Sequence, residues 1–589
     1  MFIYSWLHLA GFKVSSQDVA DFRKLHSITP GHPEFDETEG VEATTGPLGQ
    51  GVGNAVGYAL SGKRAAARYN TADHTIFDHH VVALAGDGCL QEGVAQEAIA
   101  FAGHNQLDNL ILIYDSNDVT LDAMADKTQG WDSEAYFKSL NWDAVTVDGH
   151  DMDAFLSAFT AAKAGSGKPT VIIAKTEIGR GIPQVAGTAS AHGEGGANFS
   201  EEARKGLGLP EQTFFVSDET KAYFAAQTET KIDAFNEWQA TYDSWAVAHP
   251  ELSSELEDSV AKVVPTDLSD QIPAFGDDYA DATRGSGGVV INAVAKAMPS
   301  VITGSADLFG STKNYLKEEG DFTARNPTGR NIWFGIREHG MGAICNGVAY
   351  DGLFRISGAT FCVFADYLRP SIRIAGLAKL PVTYILTHDS VGVGEDGPTH
   401  QPIEQLNMLR LIPNSYVFRP CDMMETIACW KEALKISNAP SFICLSRQNL
   451  PQLSNKKINL TNFKGAYVIY QTAKNNDISI IATGSEVSLA IETADLLQKE
   501  SISVKVISMP SSSLFDQQSA SFRKKLFQSK LDEVFVIEAG STMYWNKFTS
   551  TENIFGIDDF GASAPAKDVY NKFGLTPKKI LSTIRKRIK

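Results

Sequence analysis

Val81–Asp122 reads VVALAGDGCLQEGVAQEAIAFAGHNQLDNLILIYDSNDVTLD. The apolar run Val81–Ala85 stops at Gly86-Asp87-Gly88. A helix-like segment follows, and a second apolar run, Leu110–Tyr114, ends in Asp115-Ser116-Asn117-Asp118. This order predicts a strand–turn–helix–strand unit. Asp87 and Asn117 then stand at the carboxyl ends of two strands, where open α/β sheets bind ligands. A carboxylate, an amide oxygen and a nearby backbone carbonyl suit a hard cation such as Mg2+, which keeps positions open for phosphate oxygens. Glycines beside Asp87 let a diphosphate approach the backbone. A lone Gly-Asp-Gly is commonly just a tight turn; the flanking strands and the distant asparagine point to a site.

The surrounding chain has 589 residues, too many for one core and enough for about three domains. Its 43% hydrophobic and 21% charged content is ordinary for a globular protein. A net charge of −18 argues against nucleic acid or an anionic membrane as partner. Six cysteines are scattered without a CxxC pair, which suits reduced thiols in a cytoplasm. No apolar run has the length of a membrane-spanning helix. The opening MFIYSWLHLAGF lacks the basic region and cleavage site of a signal peptide and reads as a helix already in progress.

Apolar runs alternate with helical patterns up to about Pro250. VVALAG, LILIYD and PTVIIAKTEIG are strand candidates; Gln91–His104 and Met152–Ala162 are helix candidates. Alternation of this kind predicts parallel sheets covered by helices. Residues 211–262 read as charged amphipathic helices, and LSDQIPAFGDDYADATR as a linker. A second α/β unit runs from VVINAVAKAM to about Leu450. Beyond the polar joint PQLSNKKINLTN comes a third: AYVIY, DISIIATGSE, VKVISMP, VFVIEAG and a closing basic helix.

Gly46-Pro-Leu-Gly-Gln-Gly51 opens a helix-like stretch and could offer N–H groups to phosphates. His32 stands between prolines in Thr29-Pro-Gly-His-Pro33, where a lone loop histidine is usually idle. By spacing, Phe361, Phe364 and Tyr367 could be one packed helical face. The segment HDSVGVGEDGPTHQP, starting at His388, carries two histidines, three acids and three glycines with little to bury, and such loops more often bind than pack.

In order along nearly the whole chain, TPGHP, GVEATTGPLGQG, GDGCLQEG…YDSND, GSADL, FGIREHGMGAI, THDSVGVGEDGPTHQP, RPCD, LSRQNL, IATGSEV, SMPS and FGASAPA resemble the transketolases, thiamine-diphosphate enzymes. The resemblance implies three consecutive parallel-sheet α/β domains. They are a diphosphate- and Mg2+-binding domain at 1–265, a pyrimidine-binding domain at 266–450 and a C-terminal domain at 465–589.

By the same resemblance, Asp87, Asn117 and the Val119 carbonyl hold Mg2+, for which Ca2+ or Mn2+ can substitute. Gly46, Pro47, Leu48, Gly88, Asn117, His192 and Asp307 meet the cofactor, and Phe361, Phe364 and Tyr367 wall its aminopyrimidine. Glu338 bonds N1′; a buried carboxyl with a raised pKa can share that proton, which leads to the thiazolium ylid. The implied reaction is ping-pong transfer of a two-carbon ketol (glycolaldehyde) unit from a ketose phosphate to an aldose phosphate, in the pentose phosphate pathway. His32, His192 and His400 face the reacting end of the sugar, and Asp396 a hydroxyl. Arg284, Ser311, His388 and Arg447 clamp the terminal phosphate. A cytoplasmic homodimer follows, with the site between subunits.

Two stretches depart from the pattern: GEGG after His192, and GSADLFGST around Ser311. The family pattern also has a leading segment before the position of Met1, with two further site histidines. The expectation is therefore a fragment or mis-called start, or else a genuinely shortened protein. Three other readings compete with an active transketolase. A relative using another acceptor, such as a dihydroxyacetone synthase, is disfavoured by the phosphate-clamp residues. An inactive remnant serving as a binding subunit is disfavoured by intact Asp87, Asn117, Glu338 and His400. A nicotinamide dehydrogenase would need a GxGxxG that is missing.

Overall fold

The computed structural model describes residues 1–193, 198–454, 458–460, 462–530 and 533–588. It divides into two compact units. One holds Met1–Ala261 with Phe322–Gly329 and His339–Phe354; the other holds Lys262–Asp321, Arg330–Glu338 and the chain from Arg355 onward. No helix among the described residues is long and apolar enough to cross a membrane.

In the first unit, β1 (Val81–Gly86), β2 (Leu110–Ser116), β3 (Asp143–Asp148) and β4 (Thr170–Lys175) form a parallel sheet in the order β1-β2-β4-β3. The central β2 and β4 are buried nearly throughout and read as continuous apolar runs, as strands covered on both faces must. β3 was not legible: its run DAVTVD begins and ends in aspartate and lies half-exposed at the sheet edge. The helix read at Gln91–His104 is two, Asp87–Gln91 and Gly93–His104, broken at an extended Glu92. Met152–Ala164 and the charged helices Asp218–Ala248 and Pro250–Val260 follow the expectation. Helix Gln50–Tyr69 lies directly against the segment 339–351. A Cβ on Gly57 would stand 2.2 Å from Ile344 O, so only glycine permits this approach.

In the second unit, β5 (Ala280–Ala282) precedes a six-stranded parallel sheet. Its strands are β6 (Val301–Ser305), β7 (Asn331–Trp333), β8 (Arg355–Phe361), β9 (Thr383–Thr387), β10 (Tyr416–Phe418) and β11 (Ser441–Leu445), in the order β10-β11-β9-β8-β6-β7. VVINAVAKAM, which opened this block, lies mostly in helix Thr283–Ala297; Val290, Ile291 and Val294 are buried at helical spacing, so packing overrides the β-branched run. The linker reading of 268–284 also needs correction, because β5 pairs antiparallel with β12 (Asn449–Pro451). A last sheet, β13 (Tyr467–Gln471), β14 (Ile478–Ala482), β15 (Val504–Ser508), β16 (Glu533–Ile537) and β17 (Ile554–Phe555), has the order β13-β15-β14-β16-β17. It is parallel except at β13, an antiparallel edge strand with an irregular register.

Between these sheets lies a buried acid, Glu425. Its Oε1 accepts from Tyr467 Oη at 2.8 Å and Ser508 Oγ at 2.5 Å, and its Oε2 from Cys421 N at 2.8 Å. Burial, then the neighbouring Asp422 charge, pushes its carboxyl from 4.5 up to about 7. The folded state therefore holds this proton more tightly than the unfolded chain. The associated stability is fully present below the unfolded pKa and is lost as pH rises through the folded one. Thermal melts of the wild type should fall relative to Glu425→Gln between about pH 5 and about pH 7.5, by on the order of 3 kcal/mol. Parallel melting curves would show that Glu425 does not carry this dependence.

Candidate active site

Asp87 ends the turn after β1 and begins helix Asp87–Gln91, buried at 2% exposure. Its Oδ1 accepts from Tyr114 Oη at 2.5 Å. Its Oδ2 accepts from the backbone N–H groups of Asn117 and Asp118 at 3.2 and 3.1 Å. Asn117 Oδ1 accepts from Val119 N at 3.1 Å, so two of the three expected metal ligands share one small turn, and the third, Asp87, is hydrogen-bonded to it. Burial, then Asp118 among the charges, pushes the Asp87 carboxyl up, against the pull of Tyr114 and the two amides. Asp115 and Asp118 add negative charge, and the ammonium at hand is Lys175, 3.6 Å from Asp118 Oδ1. One buried carboxylate, an amide oxygen and a carbonyl in an acid-rich turn fit a small hard cation. Tyr114 and Lys175 were missed by sequence reading, since a strand tyrosine and a strand-end lysine carry no motif.

The Gly46–Gly51 turn opens helix Gln50–Tyr69, as read, with Gly49 in the left-handed region at φ 81°. Gly88 faces Leu48: a Cβ there would stand 3.1 Å from Leu48 Cδ1. Gly46 faces His32, whose ring base lies 3.5 Å from the corresponding point. Pro47, Leu48 and His32 are exposed. His192 is also exposed, and most of the GEGG departure after it, residues 194–196, lies outside the described residues. The structure thus gathers His32, Gly46, Leu48 and Gly88 in pairs and gives His192 no site partner among the described residues.

In the second unit, the expected residues stand at the carboxyl ends of one parallel sheet, the binding edge of α/β folds. Asp307 follows β6, Phe361 ends β8, His388 follows β9 and Arg447 follows β11. Phe361, Phe364 and Tyr367 are not one helical face: they occupy a strand end, a 3-10 turn and the first turn of helix Ala365–Leu377. They still form a continuous wall. Ring centroids are 5.7 Å apart for Phe361–Phe364 and 5.9 Å for Phe364–Tyr367. His388 lies 4.0 Å from Phe361, and His400 5.6 Å from Phe364. Asp307 is exposed in the left-handed region (φ 60°), and Asp396 is exposed on the loop before His400.

Glu338, 8% exposed, begins helix Glu338–Asp351. Burial pushes its carboxyl up, against the pull of its own backbone N–H and of a 3.4 Å hydrogen bond from Thr360 Oγ1. Thr360, one residue before the aromatic wall, was also missed from sequence. Arg284 donates from Nη1 to Ser311 O at 3.0 Å, so Ser311 meets the arginine through its backbone. Burial, then the charge of Arg447, holds the Arg284 guanidinium below its ordinary pKa, partly offset by Asp281. His388 is buried; burial, then Arg284 and Arg447, pushes its imidazole down to about 3. Two guanidinium groups around a neutral imidazole donor make a cluster that an anion would relieve.

Family models match the chain in three consecutive blocks: the transketolase thiamine diphosphate binding domain at residues 1–265, the transketolase pyrimidine binding domain at 281–452 and a transketolase-like C-terminal domain at 465–576. The transketolase of Physarum polycephalum is 53% identical over 584 residues, 98% of this chain and 87% of its own length. The chain belongs to the transketolase family. Bacillus subtilis (strain 168) transketolase is 42% identical, covering 99% of this chain and 89% of its own. Among solved structures, Pichia stipitis transketolase in complex with sedoheptulose-7-phosphate has a TM-score of 0.95 at 37% identity, over 100% of this chain and 87% of that one. Campylobacter jejuni transketolase has 0.91 at 38%, over 99% and 89%. The transketolase reading of fold and enzyme class stands, in preference to a relative with another acceptor.

Proposed function

We propose that this transketolase-family enzyme moves a two-carbon ketol unit from a ketose phosphate to an aldose phosphate in the pentose phosphate pathway of the cytoplasm. It works as a homodimer with its site between subunits. The reading rests chiefly on one observation: a buried high-pKa acid, an aromatic wall and a guanidinium–imidazole cluster lie along the carboxyl edge of one sheet. The proposed domains are 1–265, 266–450 and 465–589.

Asp87, Asn117 and the Val119 carbonyl hold Mg2+, with Ca2+ or Mn2+ as substitutes, and Gly46, Pro47, Leu48 and Gly88 receive the diphosphate. When bound, thiamine diphosphate supplies the carbanion-forming carbon that this transfer needs. Glu338 holds a proton at N1′ of the aminopyrimidine, and Phe361, Phe364 and Tyr367 exclude water from the ring. His192 and Asp307 complete the cofactor contacts. His32, His192 and His400 move hydroxyl protons of the sugar, and Asp396 reads a hydroxyl. Arg284, His388 and Arg447, with Ser311, hold the phosphate end; His388, neutral at physiological pH, donates from its ring N–H.

Titration of thiamine diphosphate into the chain should give binding that requires Mg2+, and a coupled assay should show ketol transfer to an aldose phosphate. Mg2+-independent or absent binding would overturn the cofactor assignment. Arg447→Ala should raise KM for phosphorylated sugars by about tenfold or more, the worth of a guanidinium–phosphate contact, and leave unphosphorylated sugars near wild type. Equal effects on both would remove Arg447 from the clamp.

A further inference from the structure

The motifs RPCD, IATGSEV and FGASAPA supply no residue to the proposed site, yet within the second unit all three converge on the loop 388–401. At its first end, fully buried Arg419 donates from Nε to Asp389 Oδ2 at 2.7 Å. From Nη1 it donates to Glu486 Oε2 at 2.5 Å and Thr483 O at 3.0 Å. Glu486 Oε1 accepts from Tyr570 Oη at 2.7 Å. Beside them Arg410 pairs both terminal nitrogens with Glu538 at 2.7 Å, and Thr483 Oγ1 donates to the same carboxylate at 2.6 Å.

Asp389 Oδ1 has no hydrogen-bond partner among the described residues. One guanidinium bond and a backbone bond to Leu445 O at 3.3 Å therefore anchor the residue that follows His388. His388 itself sits in the left-handed region at φ 65°, a conformation its surroundings must impose on a non-glycine residue.

At the other end, Gln401, 2% exposed, donates from Nε2 to Gly394 O at 2.8 Å and Ala562 O at 2.9 Å. It accepts at Oε1 from Ala562 N at 2.9 Å. Ser563 Oγ donates to Glu395 O at 2.5 Å. A Cβ on Gly561 would stand 1.7 Å from Gln401 Oε1, so the contact exists only because residue 561 is glycine.

We propose that Asp389, Arg419 and Gln401 are positioning residues of the transfer reaction. Asp389 and Arg419 set His388 toward the sugar's phosphate, and Gln401 sets the Asp396–His400 end. The carboxy-terminal segment 561–570, with Thr483–Glu486, is the fixed surface for both. This rests on the phosphate-clamp reading of His388. Removing Asp389 leaves Arg410 and Arg419 facing Glu486 and Glu538, so the buried charges still balance, while Arg419 Nε loses its acceptor and the variant is less stable than the wild type.

The test compares KM and kcat of the cofactor-loaded enzyme on fructose 6-phosphate and on fructose. Asp389→Ala should raise KM for the phosphate ester about tenfold while KM for fructose stays within about twofold; a displacement near 1 Å is enough for such an effect. Asp389→Asn, which keeps an acceptor for Arg419 Nε, should restore the wild-type value. Gln401→Leu should instead lower kcat on both donors by about tenfold or more. Equal KM shifts on both donors in Asp389→Ala, or wild-type kcat in Gln401→Leu, would overturn the proposal. His388→Ala separates the two readings. If it leaves KM for the phosphate unchanged, the clamp reading falls and the proposal with it. If it raises that KM while Asp389→Ala does not, positioning alone falls. Where Asp389→Ala does not fold, Arg419→Lys and Gln401→Leu decide the same split.

Discussion

Glu338→Gln is expected to lose turnover by about a thousandfold, within the range of a positioned acid–base group, while thiamine diphosphate and Mg2+ affinities stay within a few-fold of wild type. Glutamine fills the same buried volume at the start of helix Glu338–Asp351 and can still meet Thr360 Oγ1. What it cannot do is exchange a proton with N1′ of the aminopyrimidine. Burial holds the Glu338 carboxyl above its ordinary value, which favours its sharing that proton. Steady-state rates and calorimetric titration of the same preparation check both halves. Turnover like the wild type would remove Glu338 from the proposed chemistry.

Asp87→Asn is expected to weaken Mg2+-dependent thiamine diphosphate binding by about a hundredfold or more, beyond what loss of an outer ligand partner costs. The substitution keeps the size of the side chain and removes the charge a divalent ion needs. Because burial and Asp118 already disfavour that charge in the absence of a cation, the cofactor-free variant should melt at or above the wild-type temperature. Tyr114→Phe deletes the 2.5 Å hydrogen bond to Oδ1 and the one Tyr114 Oη accepts from Gln129 Nε2 at 3.1 Å, keeps the Asp87 charge, and should weaken binding far less. Equal affinity in Asp87→Asn and wild type would place the cation elsewhere.

The parts of this architecture that were legible in sequence are those where one residue type has one physical use. Val81–Gly86 and Leu110–Ser116 are apolar strands closed by Gly-Asp-Gly and Asp-Ser-Asn, and the strands form where the runs lie. Arg284, His388 and Arg447 were readable only through resemblance. They come together because β9 and β11 end, and the helix after β5 begins, at the same edge, a fact of topology and not of local pattern. Phe361, Phe364 and Tyr367 fit helical spacing yet sit on three kinds of backbone, so periodicity misnamed a wall that tertiary packing builds. Residues 289–297 misled in the opposite sense: β-branched residues are tolerated in a helix whose inner face is buried. Thr360, Tyr114 and Gln401 lay below the reach of sequence reading, because an isolated polar side chain announces its partner only after the chain has folded.

The reciprocal pair between Gln401 and Ala562 joins positions 161 residues apart. The two family blocks that contain them look like separable modules along the sequence. They are not separable in recombination. A chimera that exchanges the last block between homologues inherits one half of this pair and must find the other half already waiting in its host. Such hybrids should be drawn so that Gln401, Gly561 and Ala562 travel together, and directed evolution of the loop from His388 should screen both blocks at once.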